Sequence, residues 1–471
     1  MPMDRGRRGR TRAEVVPAHA HLVGIAGRGM SGLAQMLVRR GVKVTGSERD
    51  VGPIVERLRR LGVRVHAGHA PPAWPRAAGW LICAPEIGRA HPDRLVADRL
   101  GIARGSPLRW LKHLNPPCIG LAVAGRRDAG AASAMIGWTL VRAGLDPTVV
   151  LGRAVPQLGG WARLGSGSHF VVEAIAGPDG LGPLGPAVAV LLDVPPGIGS
   201  GPAATAEALR QFAASVPPAG LIVAREGSGP VEEALRGLPT TVERIALERR
   251  SDWWGADLRE ERGRFRFRVF RRGRFAVEIR LQVPGLRNVR SALAAVAACN
   301  RLALPTADIK QGLEEFDGLS RDFESRGSYR GVTLIDDECQ DASAVSETLA
   351  IGRQVFGARR LWAVFLPAGV GIAPEDVGPL LAALAVADHV LVTEGRPTAA
   401  SDRGASGSRS LVRSLLEAGV RARWMASLDD AISDLDRHLE PGDVLLTVGA
   451  GDVGTIADAF IRRLSRHRQG R

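Results

Sequence analysis

The chain predicts an α/β protein of more than one domain, on three observations. Short apolar strand runs alternate with helical stretches along nearly the whole length, the pattern of parallel sheets with helical crossovers. Glycine is abundant at 58 residues while aromatic residues are only 4%, which suits tight βα turns better than an aromatic-rich β-sandwich. A length of 471 residues exceeds one ordinary core and is read as two to four domains, and 45% hydrophobic residues supply several cores.

The first element is His21-Leu-Val-Gly-Ile-Ala26, an apolar run with a buried-strand pattern. It feeds into Gly27-Arg-Gly29-Met-Ser-Gly32, then a helix over Leu33 to Arg40, a strand over Val42 to Thr45 and the polar end Gly46-Ser47-Glu48. Strand, G-x-G-x-x-G, helix, strand and an acid about twenty positions on form the dinucleotide-type arrangement, in which glycines let the backbone approach a pyrophosphate at a helix N-terminus. A tight βα turn that binds nothing gives the same pattern. Further alternation runs through Val63–Val65, Trp80–Cys83, a helix near His91 to Leu100 and Trp110 to Leu114, before Asn115-Pro-Pro117 reads as a linker.

A second unit opens with the strand Ile119 to Ala124, the loop Gly125-Arg-Arg-Asp-Ala-Gly-Ala-Ala-Ser133 and a helix over Met135 to Ala143. This is the position of a phosphate loop, which needs glycines for the turn, a lysine for the phosphates and a hydroxyl for Mg²⁺. In a third unit, Val332–Ile335, Leu361–Leu366, His389–Thr393 and Val444–Val448 read as buried parallel strands. Helices are expected over Ser343–Arg353 and Ser410–Ala418, and Thr398 to Ser408 reads as a surface loop. Gly449-Ala-Gly-Asp-Val-Gly454 is read as a structural turn.

The formal charge of +14 invites nucleic acid as a partner, but only Lys43, Lys112 and Lys310 are lysines and much of the excess sits in Arg5–Arg12 and Arg462–Arg471. Nucleic-acid binding is therefore disfavoured at this level. Cys83, Cys118, Cys299 and Cys339 are scattered singly, as buried small residues or free thiols of a reducing compartment are. No apolar leader or membrane-length run occurs, so a cytoplasmic location is expected.

The stretches His21 to Gly32, Gly165-Ser-Gly-Ser-His-Phe-Val-Val-Glu-Ala174, Pro284-Gly-Leu-Arg-Asn-Val289, Val332-Thr-Leu-Ile-Asp-Asp337 and Gly442 to Gly451 resemble, in order, the Mur ligases of peptidoglycan synthesis. Within that family they resemble the branch that joins alanine to UDP-N-acetylmuramate. The resemblance implies a three-domain architecture: a Rossmann-like domain binding a UDP-sugar over 20–115, a P-loop-like central α/β domain over 116–320 and a Rossmann-like domain over 321–471. Residues 1–19 are expected to be a disordered basic tail. The implied reaction phosphorylates a carboxylate with ATP, and the alanine amine attacks the acyl phosphate. UDP-sugar contacts are carried over to Gly27, Gly29, Met30, Ser31, Gly32, Ser47 and Glu48.

The central site departs from the family. Where the family reads G-T-H-G-K-T-T-T, Gly125 and Ser133 flank a rewritten loop, with Ala129 at the lysine and Gly130 at the metal-binding hydroxyl. Losing one such contact to transferring phosphate costs about 10²–10³ in rate. The Glu-Ala-Asp-Glu segment is Glu173-Ala-Ile-Ala176, the histidine-bearing stretch falls on Leu191 to Gly197, and the histidine before Asn288 is Arg287. Arg321, Glu324 and Asp336-Asp337 stay, but Asp322, Glu338-Cys-Gln-Asp-Ala342 and Leu366-Pro-Ala-Gly-Val370 replace polar family segments. ATP and Mg²⁺ are thus the family's cofactors, with Gly125, Ser133, Asn288, Arg321, Asp336 and the metal position Glu173 read as vestiges and no catalytic residue assigned. The expectation is a ligase homologue without catalysis that still binds UDP-N-acetylmuramate or a related UDP-sugar and regulates or meets cell-wall enzymes. The alternatives are an active ligase in which Arg126 or Arg127 replaces the lysine, and an arginine-rich scaffold or nucleic-acid binder.

Overall fold

Strands buried on both faces read as continuous apolar runs, and the computed structural model places three sheets along the chain. It describes residues 17–27, 29–49, 51–68, 79–84, 87–88, 91–105, 110, 119–125, 128–174, 185–192, 202–339, 341–367, 372, 374–394, 404–449 and 451–469.

The first sheet holds β1 (His19–Val23), β2 (Lys43–Glu48), β3 (Arg64–Ala67), β4 (Trp80–Cys83) and β5 (Ala103–Gly105), all parallel, in the order 3-2-1-4-5. Its helices are α1 (Met30–Arg39), α2 (Pro53–Arg60) and α3 (Pro92–Arg99). The order reverses between β1 and β4, the switch point at whose carboxyl ends such sheets bind ligands. Two expectations are corrected here. β1 ends at Val23, because Gly24 turns at φ 70° and the N–H groups of Gly24 and Ile25 both donate to the Ser47 carbonyl. Helix α1 begins at Met30 instead of Leu33, so Met30, Ser31 and Gly32 form its first turn. Trp110 stacks on Trp80 with ring centroids 3.9 Å apart. The rest of the expected element to Leu114, the linker and residues 1–16 of the expected 1–19 tail lie outside the described residues; the tail's end is corrected, since buried His19 already opens β1.

The second sheet has the order 15-14-13-12-11-10-6-9-7-8. Its strands are β6 (Ile119–Ala124), β7 (Thr148–Val155), β8 (Gly160–Arg163), β9 (His169–Ala174), β10 (Val188–Leu191), β11 (Leu221–Arg225), β12 (Thr241–Leu247), β13 (Trp253–Glu261), β14 (Arg264–Arg271) and β15 (Arg274–Arg280). Helices α4 (Asp128–Arg142), α5 (Pro202–Ala214), α6 (Gly229–Leu235), α7 (Leu286–Arg301) and α8 (Thr306–Glu314) accompany it. Helix α4, expected from Met135, starts at Asp128: alanines 129, 131, 132 and 134 are strong helix formers, and an acid in the first turn suits the helix dipole. The edge strand β15 is covered by α8, where Lys310 donates to the Glu278 carbonyl at 2.8 Å and Glu314 accepts the Arg280 N–H at 2.9 Å.

One apolar cluster joins the first two sheets, from Ala20 and Leu22 through Met36 to Val150, Ala162 and Leu209. At this junction a Cβ on Gly32 would lie 3.0 Å from the Trp161 carbonyl oxygen and 3.1 Å from Val150 Cγ1. Gln35 donates to the Ala162 carbonyl at 3.0 Å, and the Arg57 guanidinium lies 4.7 Å from the Trp161 ring centre.

The third sheet has the order 16-17-21-18-19-20, built from β16 (Glu324–Tyr329), β17 (Val332–Asp337), β18 (Leu361–Leu366), β19 (His389–Thr393), β20 (Arg421–Met425) and β21 (Val444–Gly449). All its pairs are parallel except β16 with β17. Helices α9 (Ala342–Phe356), α10 (Pro374–Leu384), α11 (Gly404–Glu417), α12 (Leu428–His438) and α13 (Thr455–Gln469) pack with it. The expected loop Thr398 to Ser408 is corrected in part: residues 404–408 open α11, and 398–403 lie outside the described residues. The chain divides into two compact units, one with the first two sheets and one with the third sheet plus Arg259–Phe265 and Gln282–Gly285.

The motif from Gly165 to Ala174 owes its glycines to close approach. Asp146 turns at φ 43°, and its carboxylate accepts the Ser166 N–H and hydroxyl, both at 2.7 Å, and an Arg163 N–H. Those donors, the Ser166 N–H first, pull its pKa down to about 2. A Cβ on Gly167 would stand 1.9 Å from the Leu145 carbonyl oxygen, and backbone cannot swing aside. Gly167→Ala is therefore expected to cost on the order of 2–3 kcal/mol and lower the thermal midpoint by several degrees. Gly229→Ala, where a Cβ meets nothing within 4 Å, serves as the control. Equal midpoints for the two variants in a thermal melt would remove the close-approach account.

Candidate functional site

The glycine loop lies at the carboxyl end of β1, at the switch point of the first sheet. Gly29 caps α1 at φ 76°, and Gly27 donates to the Gly24 carbonyl at 3.0 Å and accepts the Met30 N–H at 3.0 Å. Met30 and Ser31 are fully buried, and the Ser31 hydroxyl has no hydrogen-bond partner among the described residues. Glu48 closes the loop from β2: one carboxylate oxygen accepts the Ala26 N–H at 2.8 Å and the other the Arg49 N–H at 2.9 Å. Of the seven residues expected to meet a UDP-sugar, Gly27, Gly29, Met30, Ser31, Ser47 and Glu48 meet around one turn, whereas Gly32 packs against the second sheet. Arg28 lies outside the described residues.

Behind this loop is a buried polar chain that sequence reading missed. The Thr45 hydroxyl is 2.9 Å from both His19 Nε2 and His21 Nδ1, and the Ser47 hydroxyl donates to Asp93 Oδ2 at 3.1 Å. Asp93, on α3, also lies 4.0 Å from His21 Nε2 and 3.8 Å from His91 Nδ1. A hydroxyl has one proton, so Thr45 donates to one neutral ring and accepts from the other, which ties the two tautomers together. Burial drives the His21 pKa down to about 4, with Asp93 pulling the other way and His19 and His66 adding to the fall. The only signal in the sequence was His19 and His21 alternating on one strand face. Among the described residues no group of three His, Cys, Asp or Glu side chains is placed to hold a metal ion.

In the second sheet Gly125 follows β6 and leads into α4. Ala129, Gly130 and Ser133 are buried within the first turns of that helix, and the Asp128 carbonyl accepts the Ser291 hydroxyl of α7 at 3.1 Å. Glu173 pairs across from Val123 at the end of β9, is only 4% exposed and accepts the Gly152 N–H at 2.8 Å. Arg287 and Asn288 are buried at the start of α7, the helix packed on α4. Arg126, Arg127, Ile175 and Ala176 lie outside the described residues.

The third sheet brings Arg321 and Asp336 together. Arg321, at φ 59°, donates from Nε to Asp336 at 2.9 Å and from Nη1 to the Gly451 carbonyl at 2.8 Å. The other Asp336 oxygen accepts the Thr447 hydroxyl at 2.7 Å. Burial opposes charge on Arg321, but Asp336, Glu338 and Asp337 outweigh it and raise its pKa. On Asp336 burial is the larger influence and raises the carboxyl, against Arg321 and Thr447; with two donors in place, the ionised form is the one this geometry holds. Asp337 accepts the Thr348 hydroxyl at 2.8 Å and the Phe323 N–H at 3.1 Å, and Cys339 donates to it at 3.3 Å. Residues 368–370 of the altered Leu366 to Val370 segment lie outside the described residues.

A doubly wound parallel sheet with a glycine turn at its switch point, followed by two further sheets, defines a multi-domain α/β protein with a Rossmann-like first sheet. Residues 19–115 match the Mur ligase family, catalytic domain, and residues 323–451 match the Mur ligase, glutamate ligase domain. A UDP-N-acetylmuramate–L-alanine ligase of Sulfurihydrogenibium sp. is 30% identical over 94% of this chain and 97% of its own length. The ligase of that name from Persephonella marina is 30% identical over 96% and 98%. Among solved structures, the UDP-N-acetylmuramate–alanine ligase of Thermotoga maritima aligns with a TM-score of 0.80 at 22% identity, covering 95% of this chain and 99% of that one. A murein peptide ligase of Psychrobacter arcticus aligns at 0.72 and 21%, covering 94% and 98%. The chain belongs to the Mur ligase family. Among the described residues no helix is long and apolar enough to cross a membrane.

The buried histidine sets a pH dependence. With its folded pKa near 4 and an ordinary value of 6.5, His21 is protonated first in the unfolded chain as pH falls. Its contribution to stability is whole above about pH 6.5 and is lost toward pH 4, on the order of 3 kcal/mol. His21→Gln is expected to flatten the fall of the unfolding midpoint across that window. Parallel pH profiles for the variant and the parent protein would overturn the assignment.

Proposed function

We propose that this chain is a Mur ligase homologue without ATP-dependent ligase activity, whose first sheet binds a UDP-sugar of the UDP-N-acetylmuramate type. The observation that carries the reading is the start of α4. Ala129 and Gly130 stand where the family has its phosphate-binding lysine and metal-binding hydroxyl, both are buried, and Asp128 brings negative charge to the first turn. Among the described residues the family's lysine has no counterpart there, and Asp128 places a carboxylate in the same turn.

The acids give no better fit to Mg²⁺. Glu173 is turned to the Gly152 N–H, and the two acids that follow it in the family are Ile175 and Ala176 here. Hard cations draw on several oxygen ligands, and one buried carboxylate already holding a backbone N–H is a poor start. ATP and Mg²⁺ therefore do not fit the residues present, and no chemical step is assigned through them. At the first sheet the support runs the other way. Gly24 and Gly29 keep the left-handed turn that a phosphate-approaching backbone needs, and the loop sits at the switch point.

Purified protein supplied with UDP-N-acetylmuramate, L-alanine, Mg²⁺ and ATP is expected to release phosphate no faster than the mixture without protein. A rate far above that background would defeat the non-catalytic reading. UDP-N-acetylmuramate is expected to raise the thermal midpoint, by the equivalent of about 2.7 kcal/mol at a hundredfold excess over Kd, while Mg-ATP leaves it unmoved. No shift with the UDP-sugar would remove the binding half of the proposal.

A further inference from the structure

Three turns of the first sheet carry the chain from a helix into a strand, and all three close alike. Between α1 and β2 the Gly41 N–H donates to the Val38 carbonyl at 2.9 Å and the Val42 N–H to the Leu37 carbonyl at 3.0 Å. Between α2 and β3, Gly62 and Val63 repeat this on Arg59 and Leu58; between α3 and β5, Gly101 and Ile102 repeat it on Asp98 and Ala97. The glycines are left-handed, at φ 78°, 88° and 62°. In this closure the apolar residue after the glycine tucks back against the helix, and Val42 and Val63 are buried accordingly. The residue before the glycine is left facing water: Arg40, Leu61 and Leu100. The strands are parallel, so the three turns share the amino end of the sheet, opposite the glycine loop. β3 and β5 are its two edges, about 19 Å apart at the usual strand spacing.

This end is strongly basic. The first turn carries Arg39, Arg40 and Lys43, the second Arg59, Arg60 and Arg64, and the third Arg99, all exposed. The acids in these stretches are Glu56, taken by Arg59, and Asp98. Among the described residues no carboxylate pairs with Arg39, Lys43, Arg60 or Arg64. Cations in the last turn of a helix are favoured by its dipole, which accounts for Arg39, Arg59, Arg60 and Arg99 without any ligand. It does not account for Lys43 and Arg64, which lie past the glycines at the strand starts. Nor does it call for leucine at two positions that a polar residue would fill as well. Leu61 and Leu100 are 38% and 46% exposed, and each follows an arginine. Five more arginines between positions 5 and 12 precede β1, whose first residue lies at this same end.

Cations that draw an anionic surface, set around leucines that leave water once there, are the two halves of an interfacial lipid contact. A nucleic acid answers the charge alone: its phosphates take arginine and lysine but offer little to exposed aliphatic tips. We propose that the amino end of the first sheet rests on an anionic lipid bilayer, with Leu61 and Leu100 entering the headgroup layer and the surrounding cations meeting lipid phosphates. The chain lies on the bilayer there and does not cross it. The contact is at the end of the sheet away from the glycine loop, so it is independent of the UDP-sugar reading.

The test mixes the full chain with phosphatidylcholine vesicles, with and without phosphatidylglycerol as the anionic lipid, and follows the bound fraction by sedimentation across a salt series. Binding to the anionic vesicles at low salt, and little to phosphatidylcholine alone, is expected. Arg60→Gln with Arg64→Gln is expected to weaken it about thirtyfold, the effect of two cations at such a surface. Leu61→Ser with Leu100→Ser is expected to weaken it about tenfold with the salt dependence unchanged. Arg250→Gln with Arg274→Gln removes the same charge from exposed positions of the second sheet and is expected to change binding by no more than about twofold. The basic ends of the chain are the same in every variant, and a thermal melt confirms that each folds. Absence of binding at low salt, binding unmoved by either first-sheet variant, or an equal loss in the second-sheet control would each overturn the proposal. Binding to a DNA duplex at least as tight as to the anionic vesicles would overturn it in favour of nucleic acid.

Discussion

A carboxylate taken out of water must be met by donors, because leaving it bare costs several kcal/mol. That demand organises the ends of all three sheets. Glu48 gathers the Ala26 and Arg49 N–H groups, Glu173 the Gly152 N–H, and Asp336 the Arg321 guanidinium and Thr447 hydroxyl. Asp337 is met by Thr348, Phe323 and Cys339. Each acid ties its strand end to a neighbouring loop, strand or helix within its own compact unit. Removing one would free the loop it closes and strand its donors, so these acids have a reason to stay that does not depend on any ligand.

On the proposed reading, the same rule separates the polar residues kept at the family's positions from those replaced. A lysine whose partner is a nucleotide phosphate has no internal acceptor to satisfy once the nucleotide is absent, and carrying it near a core is unfavourable. Alanine at position 129 removes the charge, fills the space at the foot of α4 and has the highest helix propensity. On the proposed reading, Glu173 beside Ala129 is thus no contradiction: the glutamate closes an internal hydrogen bond, whereas a phosphate-binding lysine would be left without its partner.

Much of the architecture was legible because it rests on local pattern. Leu361–Leu366 and His389–Thr393 are continuous apolar runs, and the strands fall on those residues. Readings failed where glycine and small residues were taken as loop. Residues 128–133 and 404–408 are helical, since alanine and serine between glycines still support a helix once one face packs. The strand reading ran on past Val23 because Gly24 looks like any apolar-run glycine until its φ of 70° is seen. The site was less legible for a different reason. Ser47 and Asp93 meet across 46 residues, and no spacing rule encodes that meeting.

Gly32 shows how far a motif can be right in position and different in work. It is the last glycine of a G-x-G-x-x-G pattern, where close helix packing is one of the roles the pattern allows. Here the close neighbour is the second sheet, with Trp161 and Val150 at 3.0 and 3.1 Å from the Cβ that Gly32 lacks. A side chain at this position would push α1 off β7 and β8 and strain the shared core that runs from Leu22 to Leu209. The glycine loop is therefore held from three sides: by Glu48 at its turn, by Ser47 and Asp93 behind it, and by the second sheet against its helix. A turn fixed this firmly keeps its shape whether or not a ligand is present. The glycine turn is thus fixed by contacts of its own, while the foot of α4 is held separately, by the Ser291 hydroxyl on the Asp128 carbonyl.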